Sequence, residues 1–248
     1  MSFFEVETWR PKTGEEAQHD LMIKRWFAFV QEHQDLFPEW CSARYYREVL
    51  RNEDQWTGRY VMVFEYDSYD GRNAYKERRT RQSDRYSAYM EVDPYVHFEP
   101  ESVIITSWTP HAQNLQKRWR PTTPESFYDV VTWTPIDGTL EEHDAMMLQW
   151  YDYVEEHYDE LFPEWCSVFY YQGVDLASGR LTDRYRMSFE YKNRAAFLAY
   201  KKRKIDEPDA YAAYNEIDPV VYFIEETKVI EHWQPLELDH WLDFSGSQ

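Results

Sequence analysis

Apolar and polar side chains alternate from Arg59 to Tyr66, with Tyr60, Met62, Phe64 and Tyr66 on one side of an extended chain and Arg59, Val61, Val63 and Glu65 on the other. A period of two predicts a strand with at least one covered face. Phe3 to Arg10, β-prone and closed by Pro11, predicts an opening strand, and Ala43 to Leu50 another, with a turn around Trp56-Thr57-Gly58. Between the first two strands the period changes. From Glu15 to about Leu36, His19, Met22, Trp26, Phe29 and His33 recur at steps of three and four, which places them on one stripe of a helix that Pro38 stops. A second helical region over 72–92, broken near the good N-cap Ser83, ends at Asp93-Pro94, and Glu101 to Thr109 is again extended. The predicted order is β-α-β-β-α-β.

The same order then returns. Leu-Phe-Pro-Glu-Trp-Cys-Ser occurs at Leu36 to Ser42 and, letter for letter, at Leu161 to Ser167, an offset of 125. Trp9 and Pro11 reappear as Trp133 and Pro135, His19-Asp20 as His143-Asp144, Trp26 as Trp150, Tyr66 as Tyr191, Tyr86 as Tyr211 and Asp93-Pro94 as Asp218-Pro219. One residue near Glu160 is inserted ahead of the second signature. Pro208 falls opposite Ser83, which predicts the same helix break in both copies. The chain therefore divides into a first repeat over 1–110, a linker over 111–125, a second repeat over 126–235 and a tail over 236–248. In the tail, Leu238 to Phe244 is expected to dock on the body and Ser245 to Gln248 to fray.

A β-α-β-β-α-β unit makes a four-stranded antiparallel sheet with both helices on one face and leaves the other bare. Two units can bury the bare faces sheet on sheet, which predicts a monomer with an internal pseudo-dimer, or a homo-oligomer of it. The element order, the unit length and the Trp-x-Pro-x-x-Gly opening (Trp9, Pro11, Gly14; Trp133, Pro135, Gly138) resemble the dimeric α/β-barrel superfamily. That group includes antibiotic-biosynthesis monooxygenases, EthD-like and NIPSNAP-like proteins and chlorite-dismutase-like haem proteins. The fold class expected is α+β: two tandem ferredoxin-like units with antiparallel sheets, packed as an intramolecular dimeric α/β barrel.

Composition narrows the partners. Trp, Tyr and Phe make 19% of the 248 residues, more than an ordinary core requires, so aromatic surface serves some further purpose. The formal net charge of -19 opposes binding to a nucleic-acid backbone or an anionic membrane. The acid is unevenly shared, with 17 basic and 21 acidic side chains in the first 125 residues and 10 and 25 in the rest. No secretory signal and no apolar window of membrane-spanning length is legible, and the only cysteines are Cys41 and Cys166, so a cytoplasmic protein is expected. The thiols read as buried corner residues rather than nucleophiles.

The resemblance implies a ligand cleft between helices and sheet, and with it a small-molecule ligand of aromatic or polyketide-like type. His19 and His143, at the start of the first helix of each repeat, are the candidate catalytic bases. Trp26 and Trp150 are candidate cleft walls; Tyr66, Tyr191, Tyr86 and Tyr211 are candidate hydrogen-bonding partners for a planar substrate. Glu32-His33 lacks the second His of a zinc motif, so no metal is expected. The basic runs Lys76 to Arg81 and Lys201 to Lys204 read as solvated faces. The functions implied are a small-molecule binding protein or a cofactor-independent monooxygenase. The alternatives are a haem protein of the same fold and a non-catalytic binding or assembly protein.

Overall fold

The computed structural model describes residues 1–51, 53, 55–112, 115–236 and 241–244. The chain forms two compact units: 1–109 with 174–180 and 235–248, and 110–173 with 181–234. The segment read as a linker belongs to the second unit, and the tail to the first.

In the first unit, β1 (Phe3–Trp9) leads through α1 (Glu16–Glu32) to the hairpin β2 (Trp40–Val49) and β3 (Trp56–Tyr66); α2 (Tyr69–Arg81) and α3 (Ser87–Glu91) follow, then β4 (Ile104–Pro110). The strand order is β2-β3-β1-β4, with antiparallel pairing of β2 with β3 and of β1 with both β3 and β4. This is the ferredoxin-like arrangement. The turn expected at Trp56-Thr57-Gly58 is instead a bulged start to β3. Arg47 pairs with Tyr60 but Val49 with Trp56, and Gly58 takes φ +87°, which a residue without Cβ adopts freely. The second helix begins earlier than the periodicity suggests because Ser68 Oγ accepts the Gly71 N–H at 2.9 Å. It breaks into a 3₁₀ turn at Ser83–Tyr86 before α3.

In the second unit, β5 (Gln116–Arg118) lies inside the segment read as a linker and pairs with β7 (Trp165–Val174). β6 (Phe127–Trp133), α4 (Leu140–Glu156), α5 (Tyr158–Leu161), β7 (Trp165–Val174), β8 (Leu181–Tyr191), α6 (Arg194–Asp206), α7 (Ala212–Glu216) and β9 (Val229–Pro235) repeat the order of the first. Their strand order, β7-β8-β6-β9, is the ferredoxin-like one again. The tail returns to the first unit as β10 (Trp241–Asp243), paired antiparallel with β2; Leu238 to His240 and Ser245 to Gln248 lie outside the described residues.

The aromatic excess is spent largely on core. Trp9 stacks on Phe98 at 4.3 Å, Phe37 meets Trp40 at 4.5 Å and Trp26 meets Phe27 edge-on at 4.9 Å. The stripe of α1 that faces this core is His19, Ile23, Trp26, Phe27 and Val30, so Met22, Phe29 and His33 sit on its flank. The repeated heptapeptide is a clamp. Glu39 pairs with Arg78 of α2, which also donates to Leu36 O at 3.1 Å and to the Tyr86 hydroxyl at 2.9 Å. Glu164, Arg203, Leu161 and Tyr211 repeat these bonds in the second unit.

Candidate functional site

β1 breaks its own pattern. Phe3, Glu5, Glu7 and Trp9 lie on the helix-covered face, opposite Tyr66, Phe64, Met62 and Tyr60 of β3, so two carboxylates stand in an otherwise apolar row. Steps of three and four on α2 bring Arg72, Tyr75, Lys76 and Arg79 over the same place. A cavity of about 220 Å³ remains between strand and helix. Its wall comprises the acids Glu5, Glu7 and Asp93, the cations Lys76 and Arg79, and the rings of Trp40, Phe64, Tyr66, Tyr75, Tyr89 and Tyr95.

The two carboxylates are held differently. Glu5 accepts from Arg72 Nε at 2.8 Å and pairs with Lys76 Nζ at 3.2 Å. Glu7, 5% exposed, receives the Tyr95 hydroxyl proton in a hydrogen bond. Burial and the neighbouring Glu5 charge raise the Glu7 pKa from 4.5 to about 7, against the lowering effect of Tyr95 and Lys76. Burial likewise raises Asp93 and keeps Tyr66, Tyr75, Tyr89 and Tyr95 as phenols. Trp40 is buried, and its indole N–H has no hydrogen-bond partner. A buried donor left without an acceptor costs about 1–3 kcal/mol, so Trp40 contributes its ring face to the wall and carries an unsatisfied N–H within the packing.

Of the residues singled out from sequence, Tyr66 lines this cavity. Trp26 stands behind it, donating its indole N–H to the Tyr89 hydroxyl at 3.2 Å. Tyr86 is turned away, its hydroxyl donating to Leu36 O at 2.7 Å. His19 is fully buried between Trp9, whose indole donates to Nε2 at 2.9 Å, and Asp20, 2.9 Å from Nδ1. Burial lowers its pKa. In the second unit His143 has the same two partners, Trp133 and Asp144. There Trp150 packs on Trp165, Tyr191 on Tyr200, and Tyr211 donates to Leu161 O at 2.9 Å. Cys41 is half-buried and Cys166 buried, and burial raises both thiols.

Glu5, Glu7, Trp40, Lys76, Arg79, Asp93 and Tyr95 were not among the candidate site residues read from sequence. The basic run is no solvated face: Lys76 meets a buried carboxylate, Arg78 closes the clamp and Arg79 lies over the Tyr75 ring at 5.7 Å. The signal for the acids was present, since Glu5 and Glu7 share strand parity with Phe3 and Trp9. Most of the wall recurs in the second unit, where Asp129 replaces Glu5 and is met by Lys201 at 3.1 Å and His232 at 3.4 Å. Glu7 and Tyr95, however, become Val131 and Val220. Among the described residues no group of three or more His, Cys, Asp or Glu side chains is placed to hold a metal ion, and no helix is long and apolar enough to cross a membrane.

No protein-family profile matches the sequence, and no curated protein matches it. Solved structures do match. An anthrone oxidase-like protein superimposes with TM-score 0.60 at 12% identity, over 99% of this chain and 94% of its own. A candidate monooxygenase from Fusobacterium nucleatum subsp. nucleatum ATCC 25586 gives TM-score 0.58 at 12% identity, over 95% and 93%. Chlorite dismutase from Candidatus Nitrospira defluvii in complex with imidazole gives TM-score 0.53 at 9% identity, over 96% and 93%. At such identities the likeness shows the fold alone. That fold is α+β and ferredoxin-like, as in the dimeric α/β-barrel proteins that the sequence resembles.

Proposed function

We propose that the first unit binds a small aromatic molecule bearing an acidic O–H or C–H, and that Glu7 removes that proton. The observation that carries this reading is a buried carboxylate, poised near pH 7, in the wall of an aromatic cavity. A general base works best when its pKa lies near the working pH, and such a base is worth about 10²–10⁴ in rate. The anion formed would meet the positive field of Lys76 and Arg79, cations already in place before the charge develops. Tyr66, Tyr75 and Tyr89 supply ring faces for stacking. A void of about 150 Å³ suffices for benzene, so the present cavity suits a compact ring system rather than a large polyketide.

The oxidative form of this reading is a cofactor-independent monooxygenase. A methylene activated by loss of its proton to Glu7 reacts with dioxygen; the carbon exchanges two hydrogens for one oxygen and becomes a carbonyl, and the second oxygen leaves as water. No external reductant enters that balance. The solved structures of monooxygenase and anthrone oxidase-like description share the fold and support the class without specifying the substrate.

The haem alternative fits this cavity poorly. Among the described residues the wall has no His, Cys or Met, its tyrosines are held protonated, and three carboxylates would face the propionates. Its volume is below the roughly 300–1,000 Å³ usual for cofactor and drug-sized sites.

Anthrone and 2-naphthol serve as probes. Oxygen uptake with anthrone, and Trp fluorescence quenching by 2-naphthol, are expected for the wild-type chain. Glu7→Gln should abolish uptake while retaining quenching. Uptake that survives Glu7→Gln but disappears in His19→Ala would transfer the base to His19.

A further inference from the structure

We infer that Tyr95 is the positioning residue for Glu7, holding its carboxylate from the cavity mouth and confining proton transfer to the first unit. This rests on the reading of Glu7 as base. Tyr95 is 43% exposed, yet its hydroxyl reaches the buried carboxylate of Glu7. It therefore stands between the base and solvent. The 3₁₀ turn that carries it, Pro94–His97, is tied down on both sides of the ring: Asp93 Oδ1 accepts the Tyr95 N–H at 3.0 Å, and His97 O accepts the Lys12 N–H at 2.9 Å. With the backbone anchored, rotation of the Tyr95 side chain is the freedom left to open the mouth.

The second unit provides an internal control. Its corresponding turn, Pro219–Tyr222, has the same anchor, with Asp218 Oδ1 accepting the Val220 N–H at 3.1 Å. Both partners of the bond are nevertheless absent, Glu7 being matched by Val131 and Tyr95 by Val220, although the wall otherwise keeps its acid, cations and phenols. Two positions 88 residues apart thus differ together. Burial economics alone would explain this, because either partner is costly without the other. A test must therefore read the proton and not only the fold.

The groups facing Glu7 are Glu5 on its own strand, Tyr66 on β3, Lys76 and Arg79 on α2, Tyr89 on α3, and Asp93 and Tyr95 at the turn. Of these, Tyr95 is the hydrogen-bond donor to the carboxylate and so favours its ionised form. Removing the donor leaves the repulsion of Glu5 and Asp93 in place, and Glu7 should hold its proton to higher pH.

The full chain, labelled with ¹³C at Glu carboxyls, is titrated by NMR, with the Glu7 signal identified by its loss in Glu7→Gln. In wild type the midpoint is expected near 7. In Tyr95→Phe, which keeps the ring, it should rise by about one pH unit, the size of a lost charge-assisted hydrogen bond. A 3,5-difluorotyrosine at position 95, a stronger donor of nearly the same shape, should move it down. Binding and release of 2-naphthol should both accelerate severalfold in Tyr95→Phe. A wild-type Glu7 that fails to titrate between pH 5 and 9 overturns the base assignment itself. A Glu7 that titrates near neutrality, but at the same pH in all three chains, overturns the role of Tyr95 alone.

Discussion

Trp9 donates its indole N–H to Nε2 of His19 at 2.9 Å, a bond that Trp133 and His143 reproduce at 3.1 Å in the second unit. Because an indole can only donate, Nε2 must be the acceptor and the ring proton must sit on Nδ1, toward Asp20. The imidazole is thereby fixed in one tautomer inside an aromatic stack, 4.7 Å from the Tyr60 ring. His19→Ala should cost about 2–3 kcal/mol through the orphaned indole and the void left behind, as read by urea unfolding.

That environment also sets a pH dependence. Burial lowers the folded-state pKa of His19 below the ordinary 6.5. As pH falls, the unfolded chain takes up the proton first, so the His19 contribution is complete above about pH 6.5 and is lost progressively beneath it. In His19→Gln, stability should rise less, or fall more, with increasing pH just below about 6.5 than in wild type.

Glu5 tests a different balance. Its carboxylate is 1% exposed and depends on Arg72 and Lys76. Arg72→Ala should cost about 3 kcal/mol, because half of a buried pair is worse than none. Adding Glu5→Leu should recover most of the loss. The second unit meets the same need with different partners, placing Phe197 where the first has Arg72 and His232 beside Asp129.

How far the sequence reaches is visible in β1. Its strand, the helix that follows and the opening Trp-x-Pro-x-x-Gly were legible because period and turn chemistry are local; Gly14 and Gly138 indeed take φ +85° and +81°. Tyr66 was legible as a cavity residue from strand parity. Glu5 and Glu7 were equally legible by parity, but a Glu in a strand reads as solvent-facing until the helix above it is known to carry Arg72, Lys76 and Arg79. For His19 the partners were not legible: a histidine on a buried stripe suggests chemistry, while the groups that meet both its nitrogens lie on β1 and beside it. Tyr86 and Tyr211 belong to a clamp whose Arg and Glu are 39 residues apart in each unit, a pairing no local period reveals.

Trp40 offers a prediction in which binding and folding separate. Its ring lines the cavity while its buried indole N–H has no acceptor among the described residues, so a phenylalanine there removes ring face and an unsatisfied donor together. Trp40→Phe should weaken 2-naphthol binding severalfold through lost ring contact while leaving stability nearly unchanged. Trp165→Phe in the second unit should leave that affinity unchanged if the first unit alone holds the probe, as isothermal titration of the two variants would show.

Glu7 should be expensive to keep. Its folded pKa, about 7, lies above the unfolded 4.5, so between these values the unfolded chain loses its proton first and stability falls as pH rises. Above about pH 7 the full cost is in place, up to about 3 kcal/mol. Glu7→Gln, which is nearly the same shape and still accepts from Tyr95, should therefore be the more stable protein at pH 8 and about as stable as wild type at pH 4.5. The His19 contribution is common to both chains and cancels in the difference, leaving Glu7 alone in the comparison. Thermal unfolding at both pH values, set beside oxygen uptake with anthrone, checks this directly. A Glu7→Gln chain that is inactive yet more stable at pH 8 identifies a carboxylate retained for chemistry at the expense of the fold, whereas one less stable at both pH values identifies a structural acid.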